Sequence, residues 1–204
     1  LLLGKGDAHA RAGDTLAAKD SFFAAADLAR RLDNPEQLSR AAIGYGGRIV
    51  WLRAGRDRRF IPLLEDALRA MGERSSPERV RLMARLACAL RGSPDRERSA
   101  NLGRQALEMA RELGDPRTLA YALNGRLGST YWPENPKERL ELADEMVGLA
   151  DAAGDLEDSF EGHHWRVISL VELGENGGAA AELDVMRALA EGVRPPKHGI
   201  FVTI

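Results

Sequence analysis

The stretch Leu28-Ala29-Arg30-Arg31-Leu32-Asp33-Asn34-Pro35 joins an apolar helical run to a side-chain oxygen followed by proline. Asn34 can accept from the free N–H groups of a new helix, and Pro35 takes a first helical position, where its missing donor costs nothing. The same punctuation returns at Ser76-Pro77, at Asp115-Pro116 and, without proline, at Asp155-Leu156, with spacings of 42, 39 and 40 residues. Pro195 and Pro196 fall at the next interval. A fixed period in this range marks a repeat architecture. Between these starts lies a second set, Gly13-Asp14, Gly55-Arg56, Ser93-Pro94, Asn135-Pro136 and Gly174-Glu175, each followed by another amphipathic run. Each unit is therefore a pair of helices.

Apolar residues recur at helical spacing in the second helix of each pair: Phe22, Ala25 and Ala29; Leu63, Leu64, Ala67, Leu68 and Met71; Leu102, Ala106, Leu107 and Ala110; Leu140, Ala143, Met146 and Ala150; Ala180, Leu183, Met186 and Leu189. One face of each is core and the other is wet. Period-two alternation never persists, so no sheet is expected. The pattern predicts helices over 1–12, 15–31, 36–53, 60–72, 77–91, 95–113, 116–131, 136–152, 156–173 and 177–192. A hairpin of this length cannot bury its apolar face alone, and stacking side by side makes a continuous core. The expected fold is all-α, a curved right-handed solenoid of antiparallel hairpins. About five hairpins would fill residues 1–194, and a further repeat would begin in 195–204. First helices would line the concave face and second helices the convex face.

Composition narrows the function classes. Twenty-nine Lys and Arg against 31 Asp and Glu give a net charge of −2, which lacks the broad positive field of a phosphate-backbone binder. Direct nucleic-acid binding is not expected. The one cysteine, Cys88, lies in Leu86-Ala87-Cys88-Ala89-Leu90 and reads as a small buried hydrophobe of a reducing, cytoplasmic compartment. No apolar run reaches the ~18 residues of a membrane span. The hydrophobic start without Met and the abrupt end at Phe201-Val202-Thr203-Ile204 are what a piece of a longer polypeptide would show.

Gly6, Ala10, Gly13-Asp14, Ala18, Phe22 and Ala25 resemble the tetratricopeptide (TPR) repeat, with small residues for close helix approach, a turn glycine and an aromatic knob. Lys5 stands where that pattern prefers leucine, and the unit exceeds the repeat's usual length, so divergent TPR-like hairpins describe it better. Longer strings are similar to the sensor region of large bacterial, especially actinobacterial, regulators. They are Ala29 to Pro35, Ala41-Ala42-Ile43-Gly44-Tyr45-Gly46-Gly47-Arg48, Leu63 to Leu68, Glu108 to Pro116 and Trp165 to Gly174. That resemblance implies a TPR-like solenoid in a chain that also carries an ATP-binding signalling module, with a LuxR-type, antibiotic-regulator-type or nucleotide-cyclase module. It implies a regulatory scaffold or sensor rather than a catalyst.

Candidate chemistry is sparse. Gly4-Lys5-Gly6-Asp7 lacks the glycine frame and the strand-to-helix setting of a phosphate loop and reads as a helix start or a close-packing site. Gly44-Tyr45-Gly46-Gly47 weakens a helix by ~1 kcal/mol per glycine relative to Ala, which close approach of a neighbouring helix would offset better than a kink at a pocket. His163 and His164, near Glu161, point about 100° apart on a helix and lack the i, i+4 spacing of a helical metal chelate. There is no nucleophile elbow, and carboxylates such as Glu138, Glu141, Asp144 and Glu145 read as solvated faces. Neither enzyme activity nor a metal or other cofactor is expected.

Arg48, Arg53, Arg56, Arg58 and Arg59, near Trp51 and Phe60, form the densest basic stretch. They read either as loop arginines paired with nearby acids or as a site for phosphate, carboxylate or an acidic partner segment. The tryptophans Trp51, Trp132 and Trp165, with Tyr45, Tyr121 and Tyr131, all belong to first helices or the turns after them. Such rings fill an inter-repeat core or serve as interface anchors. The candidate binding face is Tyr45, Arg48, Trp51, Asn124, Tyr131, Trp132 and His164. Its expected occupant is a protein or peptide partner or another domain of the same chain; the alternative is a small-molecule effector.

Overall fold

The computed structural model describes residues 1–47, 49–92 and 94–192. Among them are ten α-helices and no strand: α1 Leu2–Arg11, α2 Thr15–Arg31, α3 Pro35–Tyr45, α4 Phe60–Ala70, α5 Pro77–Ala89, α6 Arg96–Leu113, α7 Pro116–Ser129, α8 Pro136–Ala153, α9 Leu156–Leu173 and α10 Asn176–Gly192. None is long and apolar enough to cross a membrane. The further repeat expected from residue 195, and the packing of Ile200, Phe201 and Val202, lie outside the described residues.

The helix starts are fixed by side-chain caps at the repeating positions. Asn34 Oδ1 accepts from the Gln37 N–H at 3.0 Å, Ser76 Oγ from Arg79 at 3.2 Å and Asp115 Oδ2 from Thr118 at 2.9 Å. Asp155 Oδ1 accepts from both Glu157 and Asp158 at 3.1 Å. Each satisfies donors that a helix N-terminus leaves without an internal partner. Asp14 and Asp95 cap α2 and α6 in the same way.

The largest departure from the expected map is α3, predicted over 36–53. It ends at Tyr45, with Gly46 at its C-cap and Gly47 at φ +76°, a left-handed conformation that costs glycine nothing. From residue 49 the described chain runs as a loop to Phe60, pinned where the Ala54 N–H donates to the Ala89 carbonyl at 3.1 Å.

The chain divides into two compact units, Leu1–Ser129 and Thr130 onward. In the first, α1, α3, α5 and α7 pack on one another in chain order, and each of α2, α4 and α6 packs against the helix before and after it. In the second, α9 packs between α8 and α10.

Small residues set the helix spacing. A Cβ built on Gly6 would lie 2.8 Å from Phe22 Cε1, and one on Gly44 would lie 2.5 Å from the same atom, so the Phe22 ring of α2 fills two glycine holes, in α1 and α3. A Cβ on Gly125 of α7 would lie 2.5 Å from Ala84 Cβ of α5, and one on Gly162 of α9 would lie 2.7 Å from Val147 of α8. Close packing is thus the role of Gly6 and Gly44. The core of the first unit is built from Phe22, Ala26, Ala42, Leu63, Leu64, Leu82 and Leu86.

One predicted face is shifted. On α10, Ala180 and Leu183 are exposed, and the buried residues are Ala179, Glu182 and Met186. Glu182 tolerates burial because two side chains of α9 meet it: His163 Nδ1 lies 2.5 Å from one carboxylate oxygen and the Arg166 guanidinium Nη2 lies 3.1 Å from the other.

Two glycines in helix interiors separate packing from propensity. Gly44→Ala forces a methyl into the Phe22 ring, an overpacking costing about 1–3 kcal/mol, which should outweigh the gain in helix propensity. At Gly148 of α8 a Cβ meets nothing within 4 Å, so Gly148→Ala should stabilise by roughly 0.5–1 kcal/mol. Urea denaturation of both variants checks this. Equal stabilisation by the two would refute the wedge.

Candidate functional site

In the first unit the loop after α3 is held by arginines. Arg85, on α5 in the otherwise apolar run Leu82-Met83-Ala84-Arg85-Leu86-Ala87, is 0% exposed. Its guanidinium donates to the carbonyls of Gly47 and Ile49 and lies 6.0 Å from the centre of the Phe60 ring. Helix C-termini carry orphan carbonyls and partial negative charge, so a buried cation is stabilised there without an acid. Arg91, just past α5, donates to the Trp51 carbonyl at 3.2 Å and the Gly128 carbonyl at 3.3 Å. Trp51 is half-buried with its Cβ against Gly128, and Leu52 beside it is 42% exposed.

Asp57 organises the far end of that loop. Its carboxylate accepts from Lys19 Nζ at 2.7 Å, from the Tyr45 hydroxyl at 3.0 Å and from the Arg59 N–H at 3.1 Å. Desolvation alone would raise the Asp57 pKa, but these hydrogen bonds outweigh it and hold the carboxyl below its ordinary range. Burial first, and then the bond to Asp57, pushes the Tyr45 hydroxyl up to about 12. Burial likewise raises the Cys88 thiol to about 12, with its Sγ donating to the Gly125 carbonyl, so Cys88 is a core residue and an inert thiol.

In the second unit the residues after α7 are gripped by another buried guanidinium. Arg139 of α8, also 0% exposed, donates to the carbonyls of Thr130 and Trp132, to Asn135 Oδ1 and to the carboxylate of Glu172. It lies 5.5 Å from the Tyr131 ring centre. Tyr131 is 39% exposed and stacks edge-on against Trp165 at 5.8 Å; His164 lies 5.7 Å from Trp165 on its own helix. Burial pushes the half-buried His164 imidazole down to about 4.

The candidate face is therefore divided. Tyr45 at 4% and Asn124 at 2% exposure offer a partner almost no surface, because Tyr45 is enclosed by Phe23, Phe60 and Asp57 and Asn124 faces into its unit from α7. Trp51 keeps an accessible edge in the first unit; Tyr131, Trp132 and His164 do so in the second, where Trp165 links Tyr131 to His164. Arg48 lies outside the described residues. Trp165 itself is 1% exposed, a core ring. The positioning groups Arg85, Arg91 and Arg139 escaped sequence reasoning, although an arginine inside an apolar helical run was a legible sign for Arg85. Among the described residues no three potential metal ligands cluster; Glu161 and His163 are buried, and His163 faces Glu182.

Against solved structures the chain matches a Rap protein complexed with the competence and sporulation factor, with a TM-score of 0.77 and 16% identity over 93% of this chain. The fold is tetratricopeptide-like. The match covers 53% of the Rap chain, so this chain spans about half its length. Two structures of nearly identical TPR-like repeats from a Podosopora anserina protein described as a kinesin light chain match with TM-scores of 0.66 and 0.63 at 14% identity. They cover 92% and 95% of this chain, and 92% and 96% of theirs. No known protein family matches the sequence, and no curated protein does.

His164 gives a pH prediction. Its folded pKa lies below the unfolded value of about 6.5, so the unfolded chain binds more protons between the two. Its contribution is fully present above pH ~6.5 and declines as pH falls toward 4. The depressed Asp57 acts only at lower pH, since its contribution persists above its unfolded value near 3.8. Melting temperature should therefore drop from pH 7 to 5, and His164→Phe should flatten that drop. An unchanged slope in the variant would contradict the burial of His164.

Proposed function

We propose that this chain is a noncatalytic helical-repeat module of a cytoplasmic bacterial signalling or transcriptional regulator, and that it docks a protein or peptide segment, either of a partner or of another domain of its own polypeptide. The observation that carries this reading is the repeated presentation of aromatics. Trp51 and Trp132 both follow first helices, both keep an accessible edge, and the backbone carbonyl of each is held by an arginine, Arg91 or Arg139. Aromatic anchors on a fixed backbone lose little conformational freedom on binding, the property that makes them interface hot spots. The TPR-like fold and the factor bound to the Rap protein support the choice of a docked ligand over chemistry. The strings resembling bacterial regulators support the wider context. Trp51 is the proposed anchor of the first unit, and Tyr131 and His164 join Trp132 as proposed contacts of the second, each set within its own unit; Arg48 remains a candidate from the sequence alone.

Panning a displayed peptide library against the chain tests this. Selected peptides should bind Trp51→Ala and Trp132→Ala at least tenfold more weakly, a loss above ~1 kcal/mol, while each variant keeps its helicity and melts within a few degrees of the parent. Undiminished binding by both variants, or losses that only track unfolding, would overturn the aromatic docking surface. Stabilisation by a metabolite set with no peptide selected would favour an effector sensor instead.

A further inference from the structure

The loop between α3 and α4 holds a local charge that the rest of the chain does not share. Between residues 53 and 59 it carries four arginines and one aspartate, in a chain whose net charge is −2. The aspartate does not neutralise its neighbours. Asp57 is turned onto Lys19, Tyr45 and the Arg59 N–H. Arg59 lies over the Phe23 ring, 4.9 Å from its centre. Arg53, Arg56 and Arg58 are exposed, and no acid among the described residues pairs with any of them. Arg30, Arg98, Arg104 and Arg187, by contrast, each meet a carboxylate.

The backbone under these cations is fixed. The Ala54 N–H is tied to Ala89, and the Asp57 N–H donates to the Ala54 carbonyl at 3.0 Å. Arg56, Asp57 and Arg58, together with Ala54, Gly55, Ile61 and Pro62, line an open cleft of about 710 Å³, in which the Asp57 carboxylate is already engaged by Lys19 and Tyr45. Two unpaired guanidiniums therefore share a cleft with the apolar surfaces of Ile61 and Pro62. Guanidinium recognises carboxylate through paired, charge-assisted hydrogen bonds, and the apolar side takes an aliphatic or aromatic side chain.

We propose that this cleft is the docking site for an acidic, partly apolar peptide segment of a protein partner, with Arg56 and Arg58 on its carboxylates and Ile61 and Pro62 under its apolar side chains. The assignment rests on the docking reading above and gives that docking its chemical class. A folded-back acidic segment of the same polypeptide has the same chemistry, and offering the probe in trans to the full chain measures the site either way.

The probe is a fluorescein-labelled twelve-residue peptide of repeating Asp-Leu-Glu-Leu, followed by fluorescence anisotropy. The full chain should bind it with an affinity that falls as salt rises, and Arg56→Glu/Arg58→Glu should weaken binding at least tenfold with helicity unchanged. Arg31→Glu/Arg117→Glu, which makes the same change in net charge at exposed helical positions, should leave affinity within twofold. No binding, or equal loss in both double variants, overturns the proposal. So does a twelve-nucleotide single strand that binds more tightly than the peptide through Arg56 and Arg58, since that ligand is a phosphate backbone. If Trp51→Ala and Trp132→Ala abolish peptide binding while Arg56→Glu/Arg58→Glu does not, aromatic docking stands and the arginine cleft falls.

Discussion

Helices in both units meet at backbone contact, and this constraint governs the rest of the structure. Where Gly44 faces Phe22 and Gly125 faces Ala84, the facing residues leave no room for one more methyl group. Interiors packed at crystal-like density respond to a single methylene, so these positions fix helix spacing more tightly than interchangeable leucines would. The chain has few aromatics and many alanines. It builds its core from close approach rather than from large side chains, with Phe22 acting as a wedge that two glycines receive.

Close approach has an electrostatic consequence. Drawing helices together buries the loops that follow them, and buried carbonyls need donors. Arg85 and Arg139 supply these from fully buried positions, Arg85 with carbonyl partners and Arg139 with carbonyls, an amide oxygen and Glu172. Removing either head group would leave several acceptors unsatisfied, a larger penalty than the loss of a surface ion pair. The gripped segments are those that carry Trp51, Tyr131 and Trp132. Packing inside each unit therefore determines how its outer aromatics are held.

The sequence revealed helix starts well because a cap is a local event: Asn34, Ser76, Asp115 and Asp155 act within three residues of themselves. It placed the end of α3 poorly. Apolar periodicity runs on past Tyr45, but Gly46 and Gly47 and the distant hold of Arg85 end the helix. Glu182 was missed as a buried residue because its partners, His163 and Arg166, lie on another helix and have no periodic signature. The candidate face was legible as a set of aromatics following first helices. Which of them stay accessible was not: Tyr45 differs from Trp51 only through tertiary contacts with Phe23, Phe60 and Asp57.

The central claim is that repeat packing buries one tryptophan and presents the other two on fixed backbone. Fluorine NMR of the chain labelled with 5-fluorotryptophan tests it directly, because the protein contains three tryptophans. A soluble gadolinium chelate should broaden the Trp51 and Trp132 resonances and spare Trp165, and before the chelate is added all three lines should be comparably narrow. Broadening of Trp165 to the same degree, or equal protection of all three, would contradict the account.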